Sequence, residues 1–179
     1  PFVWEGANLY FLLTDRFNNG DKTNDHTFNR TKETGRLRGF EGGDLRGVIQ
    51  KLDEGYFTNL GINVIWMTPI VEQIHDGVDE GTGFTYGFHG YWTRDWTAMD
   101  PSFGTRKDLA ELVQKAHARG IRIMLDAVIN HTGPVTPEDS VYPNDWVRTS
   151  PKCTYKSYDT YLSCFFNSPI YFMQKSSTS

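Results

Sequence analysis

The sequence has only two cysteines, Cys153 and Cys164, in 179 residues, and no Cys or His pairs at zinc-binding spacing, which excludes a zinc module and a disulfide-built scaffold. No G-x-G-x-x-G or P-loop follows an apolar run, and G-x-S-x-G is missing. Dinucleotide, nucleotide and serine-hydrolase chemistry therefore lack their signatures. Basic residues never run longer than two and are outnumbered, 18 against 22 acidic, for a formal net charge of −4. That distribution offers nucleic acid no footprint. No apolar run reaches the roughly 18 residues of a membrane span, and the densest, Ile62–Met67 and Ile121–Ile129, have strand length. The sequence starts at Pro1 and itself contains no charged and apolar signal-peptide regions, as expected where a targeting peptide has been removed or was never included, so it leaves the compartment open.

What is present is a soluble composition rich in rings, with 15% aromatic residues. Aromatic side chains serve cores first, and those left over make platforms for ligands with apolar faces and polar edges, such as sugars. Leu9–Thr14 is an apolar run fit for a strand buried on both faces, and it ends in Asp15-Arg16-Phe17. Asp44 then caps a predicted helix whose Leu45, Val48, Ile49 and Leu52 share one face, with Gly55 just past its end. Gly61–Met67 reads as a second buried strand. A long Gly-rich loop follows from Thr68 to Gly104, and loops of that length are usually functional. Thr105 and Asp108 form a capping-box pattern for a helix that runs to Arg119 and stops at Gly120, and Ile121–Leu125 is the third strand.

The order is β-α-β-α-β with no hairpin signal, which predicts a parallel sheet with its chemistry at the carboxyl ends of the strands. Three groups of residues stand there. Asp126-Ala-Val-Ile-Asn130-His131 follows strand three, offering a carboxylate, an amide carbonyl for a hard cation and an imidazole. His89-Gly-Tyr91-Trp92 brings an imidazole and two aromatic faces together, as a pyranose requires; taken alone, such a stretch is more often a packed loop. Asn18–Asp25 supplies many side-chain oxygens without EF-hand spacing, and as pattern alone most such stretches are only turns. Six to eight oxygens around calcium would need help from Gly42 and Asp44.

Together, Asp126-x-x-x-Asn130-His131, His89-Gly-Tyr91-Trp92 before Asp95, Asp15-Arg16-Phe17 and Gly104-Thr105 resemble the α-amylase family, glycoside hydrolase family 13, from about Leu9 to Pro134. The loop after strand one is similar to that of bacterial secreted amylases and cyclodextrin glucanotransferases. The resemblance implies an α/β chain that forms part of a (β/α)₈ TIM barrel, its first three strands and two helices over residues 1–131. Residues 132–179 would then be the start of an irregular B domain with an atypical tail. A closed barrel needs about 200 to 250 residues, so 179 are too few for a whole one.

The resemblance further implies that Tyr91 is the stacking platform at the sugar subsite beside the scissile bond, that His89 and His131 hydrogen-bond that sugar's hydroxyls, that Trp92 is a further substrate-binding residue, and that Asp126 is a supporting carboxylate. It implies two calcium sites, one using Asn130 and one using Asn19, Asp21, Asn24, Asp25, Gly42 and Asp44. The substrate would be an α-glucan or maltooligosaccharide, with no nucleic-acid, membrane or protein partner. Family chemistry uses a carboxylate nucleophile and a carboxylic acid about 5 to 5.5 Å apart. Neither falls on a residue of this sequence, so the fragment is expected to be inactive alone. Amylase, glucanotransferase and α-glucosidase stay open. The family implies a secreted or periplasmic protein, where Cys153 and Cys164 would form a disulfide; in a cytosolic one they would be thiols. The rival readings are a non-catalytic amylase-like binding or assembly domain and an unrelated doubly wound α/β protein.

Overall fold

The computed structural model describes residues 2–128, 131–134 and 136–139. A 3-10 turn at Trp4–Gly6 leads into β1 (Leu9–Leu12), the one-turn helix α1 (Thr14–Phe17) and, past a second 3-10 turn at Lys22–Asn24, α2 (Leu45–Asp53) and α3 (Tyr56–Asn59). Then come β2 (Val64–Met67), β3 (Val71–Gln73), β4 (Val78–Asp79), β5 (Phe84–Thr85), β6 (Thr93–Met99), α4 (Arg106–Ala118) and β7 (Arg122–Leu125). The expected parallel sheet is present: β1, β2 and β7 lie in that order, with Leu9 opposite Val64 and Val64 opposite Arg122.

Local chemistry explains the helix bounds. Asp44 accepts from Gly47 N at 2.7 Å to cap α2, and the chain leaves the helix through Gly55 at φ +79, a left-handed conformation natural to glycine. At α4 the box closes both ways. Asp108 N donates to Thr105 Oγ1 at 3.2 Å and Thr105 N to Asp108 Oδ2 at 2.8 Å. The predicted face of α2, Leu45, Val48, Ile49 and Leu52, is wholly buried and shares one core with Ile65 and Met67 of β2 and Leu112 and Ala116 of α4. Outside that core, Arg46 reaches Glu111 at 2.6 Å, and Lys115 and Arg119 reach Asp53 at 2.6 and 2.9 Å, tying α2 to α4.

Two expectations need correction. The strand from Leu9 is not buried on both faces: Leu9 and Phe11 are 41% and 42% exposed. The helices cover the other face, where Leu12, Ile65 and Met67 point. The segment Thr68–Gly104 is not one loop, because β3 pairs antiparallel with β6, and β4 with β5. These strands escaped notice because β3, β4 and β5 are two or three residues long and the β3–β6 register shifts twice, leaving no period of two to read. Asp15-Arg16-Phe17, directly after the first strand, lies in the one-turn helix α1. Cys153, Cys164 and the segment from residue 140 onward lie outside the described residues.

A buried ion pair fixes the loop after β1 to the far end of β6. Arg30 meets Asp100 at 2.7 Å with both side chains at most 3% exposed. Arg30 Nη2 also donates to the carbonyls of Gln73 and Ile74, so the charge is met by hydrogen bonds as a buried pair requires.

Candidate functional site

At the carboxyl ends of the strands, Tyr91, His89, Trp92, Asp126 and His131 come together. Tyr91 Oη donates to Asp126 Oδ2 at 3.0 Å, across 35 positions of sequence. Tyr91 N donates to His89 Nδ1 at 3.0 Å, and His131 Nε2 donates to the Tyr91 carbonyl at 2.9 Å. Tyr91 is therefore held at its hydroxyl, its N–H and its carbonyl. The rings of His89 and Tyr91 lie 17° from parallel with centroids 6.0 Å apart, and Trp92 meets His89 edge-on at 4.9 Å.

This geometry sets protonation. Because His89 Nδ1 accepts a hydrogen bond, the neutral ring carries its proton on Nε2 and has one donor left there. Burial pushes the His89 pKa down to about 4, with Glu80 opposing and His131 and Arg16 assisting. Burial and the hydrogen bond to Asp126 push the Tyr91 hydroxyl up to about 12, so it stays a donor. The site offers an aromatic platform, a neutral imidazole and a carboxylate on one loop and one strand end. Such a set suits stacking on C–H groups with directed bonds to hydroxyls.

Two glycines permit the close approach. A Cβ on Gly90, at φ +88, would strike the Pro69 carbonyl, and one on Gly133 would strike Ile74 and the Trp92 carbonyl. Gly133 N donates to Thr93 O at 2.7 Å, fastening the segment after β7 onto β6. Gln73, fully buried, accepts from Trp92 N at 2.7 Å. Sequence reasoning missed Gln73 because nothing in its neighbours marks a side chain that replaces a strand partner. Gly133 carried a signal in its place directly after Asn130-His131-Thr132.

The loop after β1 gathers a second group of oxygens. Asp44, 0% exposed, accepts from Gly20 N, Asp21 N, Asn24 Nδ2 and Gly47 N, and no cation pairs with it among the described residues. Asn19 Nδ2 donates to Asp25 Oδ1 at 2.8 Å, while Oδ1 of Asn19 and Oδ1 of Asn24 are buried without a hydrogen-bond partner. At Gly42, φ +89, a Cβ would collide with Asn19 Nδ2 and Asp25 Oδ1. Asp15 fixes that turn by accepting from Glu41 N and Gly42 N, and burial raises its carboxyl to about 6 against those bonds. Asp21 is lowered by its bonds from Thr23. Among the described residues no three His, Cys, Asp or Glu side chains gather as a metal cluster, so a cation here would rely on amide and backbone oxygens as well. Asn130 lies outside the described residues.

A family model, "Alpha amylase, catalytic domain", matches residues 11–163. The chain is 48% identical over 143 residues to the periplasmic alpha-amylase of Escherichia coli (strain K12), covering 78% of this chain and 21% of that protein. It is 36% identical over 134 residues to the cyclomaltodextrin glucanotransferase of Bacillus sp. (strain 38-2), covering 73% and 18%. The crystal structure of the gamma-CGTase from alkalophilic Bacillus clarkii superposes at a TM-score of 0.70 with 29% identity, over 93% of this chain and 26% of that one. The chain thus spans about a fifth of the length of these two curated relatives.

Proposed function

We propose, on the ground that this chain belongs to the alpha-amylase family of glycoside hydrolases, that it supplies part of the sugar-binding face of an enzyme acting on α-glucans or maltooligosaccharides. The observation that carries the reading is Tyr91 held at three points between His89, His131 and Asp126. In this reading Tyr91 stacks on the sugar ring, His89 Nε2–H and His131 meet its hydroxyls, Trp92 backs His89, and Asp126 orients Tyr91. Residues 1–131 belong to a (β/α)₈ barrel as its first three strands, β1, β2 and β7, and residues 132–179 begin a B domain. The fold of related enzymes and the observed parallel order support this.

The donor set of the loop after β1 fits calcium: a fully buried carboxylate and two buried amide oxygens that find no cation or hydrogen-bond partner, respectively, among the described residues, and a cradle that excludes a Cβ at Gly42. Asn19, Asp21, Asn24, Asp25, Gly42 and Asp44 would hold it, and Asn130 would serve a second ion. A bound cation would neutralise these carboxylates. It would also fasten the loop to α2.

Retaining chemistry in such enzymes needs a nucleophile and an acid about 5 to 5.5 Å apart, and no residue here is assigned to either role. The 179 residues alone are expected to be inactive, and the periplasmic relative supports an exported location. Calorimetry with maltotetraose on the protein carrying this sequence tests the reading. Binding should weaken about tenfold in Tyr91→Ala, in line with loss of an aromatic platform. No binding by the unaltered protein would sink the proposal, and starch hydrolysis by the purified 179 residues would refute their inactivity.

A further inference from the structure

We propose that Arg16 is a positioning residue for the loop that carries His89 and Tyr91, a role that rests on the sugar-binding reading above. Arg16 stands in α1, directly beyond β1. Its guanidinium carbon lies 3.9 Å from the centroid of the Phe88 ring, and Phe88 in turn meets His89 edge-on at 5.2 Å. From its other side, Nη2 donates to the carbonyls of Leu37 and Gly39, each at 2.9 Å. Nη1 faces Asp15 at 3.2 Å and Glu41 at 3.4 Å. One planar cation thus joins the loop after β1 to the segment between β5 and β6.

Leu37 shows that the turn is held rather than relaxed. Its φ of +58 is uncommon for a branched side chain and persists where the surroundings over-determine it. Arg16 grips that residue's carbonyl. A lysine could supply the charge, but not a planar fork that stacks on a ring and serves two carbonyls at once.

Arg16 also bears on what His89 can do. The bond from Tyr91 N requires an unprotonated Nδ1, and a protonated imidazole has no acceptor to offer. Burial, His131 and Arg16 all disfavour the protonated ring, while Glu80 favours it. The guanidinium therefore fixes the ring's neighbour by contact and preserves the ring's bond to Tyr91 by charge.

The test compares Arg16→Met and Arg16→Lys in the protein carrying this sequence. Histidine-ring NMR, with His89 assigned through His89→Gln, reads the titration midpoint, and calorimetry reads maltotetraose affinity. In Arg16→Met the midpoint should rise, and affinity should fall about fivefold to tenfold. Arg16→Lys should restore the midpoint and only part of the affinity. If the Met variant binds maltotetraose as tightly as the unaltered protein, the proposal is overturned. If the unaltered protein does not bind the sugar, the midpoint decides: a shift in the Met variant upholds the role of Arg16 while the sugar reading fails, and no shift overturns both. Should the Met variant lose its far-UV spectrum, the Lys variant decides, and full affinity there refutes the proposal.

Discussion

His89 is the residue whose chemistry is most altered by its surroundings. Its pKa falls from 6.5 to about 4 in the folded chain, chiefly through burial. The folded state therefore binds fewer protons than the unfolded one between those values. The contribution of neutral His89 is fully present above pH 6.5 and is lost as pH falls toward 4, and it amounts to about 3 kcal/mol at most. Replacing His89 with Gln removes this dependence. The stability gap between the unaltered protein and His89→Gln, measured by denaturant unfolding, should change by up to about 3 kcal/mol between pH 7 and pH 4. A gap that stays constant over that window would show that the ring is solvated. Tyr91 works in the opposite sense at the same site, since a hydroxyl raised to about 12 remains a donor at any physiological pH.

Among the elements, α2 carries the sharpest double duty, because its N-cap is also the buried carboxylate of the loop after β1. Asp44 caps Gly47 N and collects Gly20 N, Asp21 N and Asn24 Nδ2. Asn caps a helix about as well as Asp, so Asp44→Asn separates the cap from the charge. If the loop holds calcium, chelation should lower the thermal midpoint, and calcium at about a hundred times its Kd should restore about 2.7 kcal/mol. Asp44→Asn should keep its helical spectrum and lose most of that gain. An equal calcium response in both proteins would exclude Asp44 as a ligand.

The same element shows what a sequence can tell. Leu45, Val48, Ile49 and Leu52 declare their face by spacing, and Asp44 and Gly55 declare its ends, because helix signals are local. His89, Tyr91 and Trp92 were legible as a short motif. Their partners Asp126 and His131 were legible only because a strand end collects polar residues. What stayed hidden depends on pairing at a distance: β3 with β6, Gln73 under Trp92, and Arg16 against Phe88. No local pattern records which side chain fills a broken ladder or lies on a ring twenty or seventy residues away.

At the scale of the whole molecule, the described sheet has two open edges, β1 and β7, and one uncovered face. Leu9, Phe11 and Leu13 are 41%, 42% and 37% exposed, and Leu125 on the edge strand is 51% exposed. Beside it, Trp96, Leu109 and Val113 line an open apolar groove with Leu125. Parallel strands are ordinarily covered on both faces, and unpaired edges with apolar neighbours template association. The helical side is built to last, with its core of Leu45, Leu52, Ile65, Met67 and Leu112 and its outer ion pairs. We therefore expect the 179 residues expressed alone to keep helical structure yet self-associate, and light scattering after size exclusion should find species larger than 20.5 kDa. The association should be suppressed by mild denaturant before helicity is lost, since it draws on the uncovered face rather than on the core. A monodisperse monomer with one sharp unfolding transition would show instead that this face and these edges are satisfied within the 179 residues themselves.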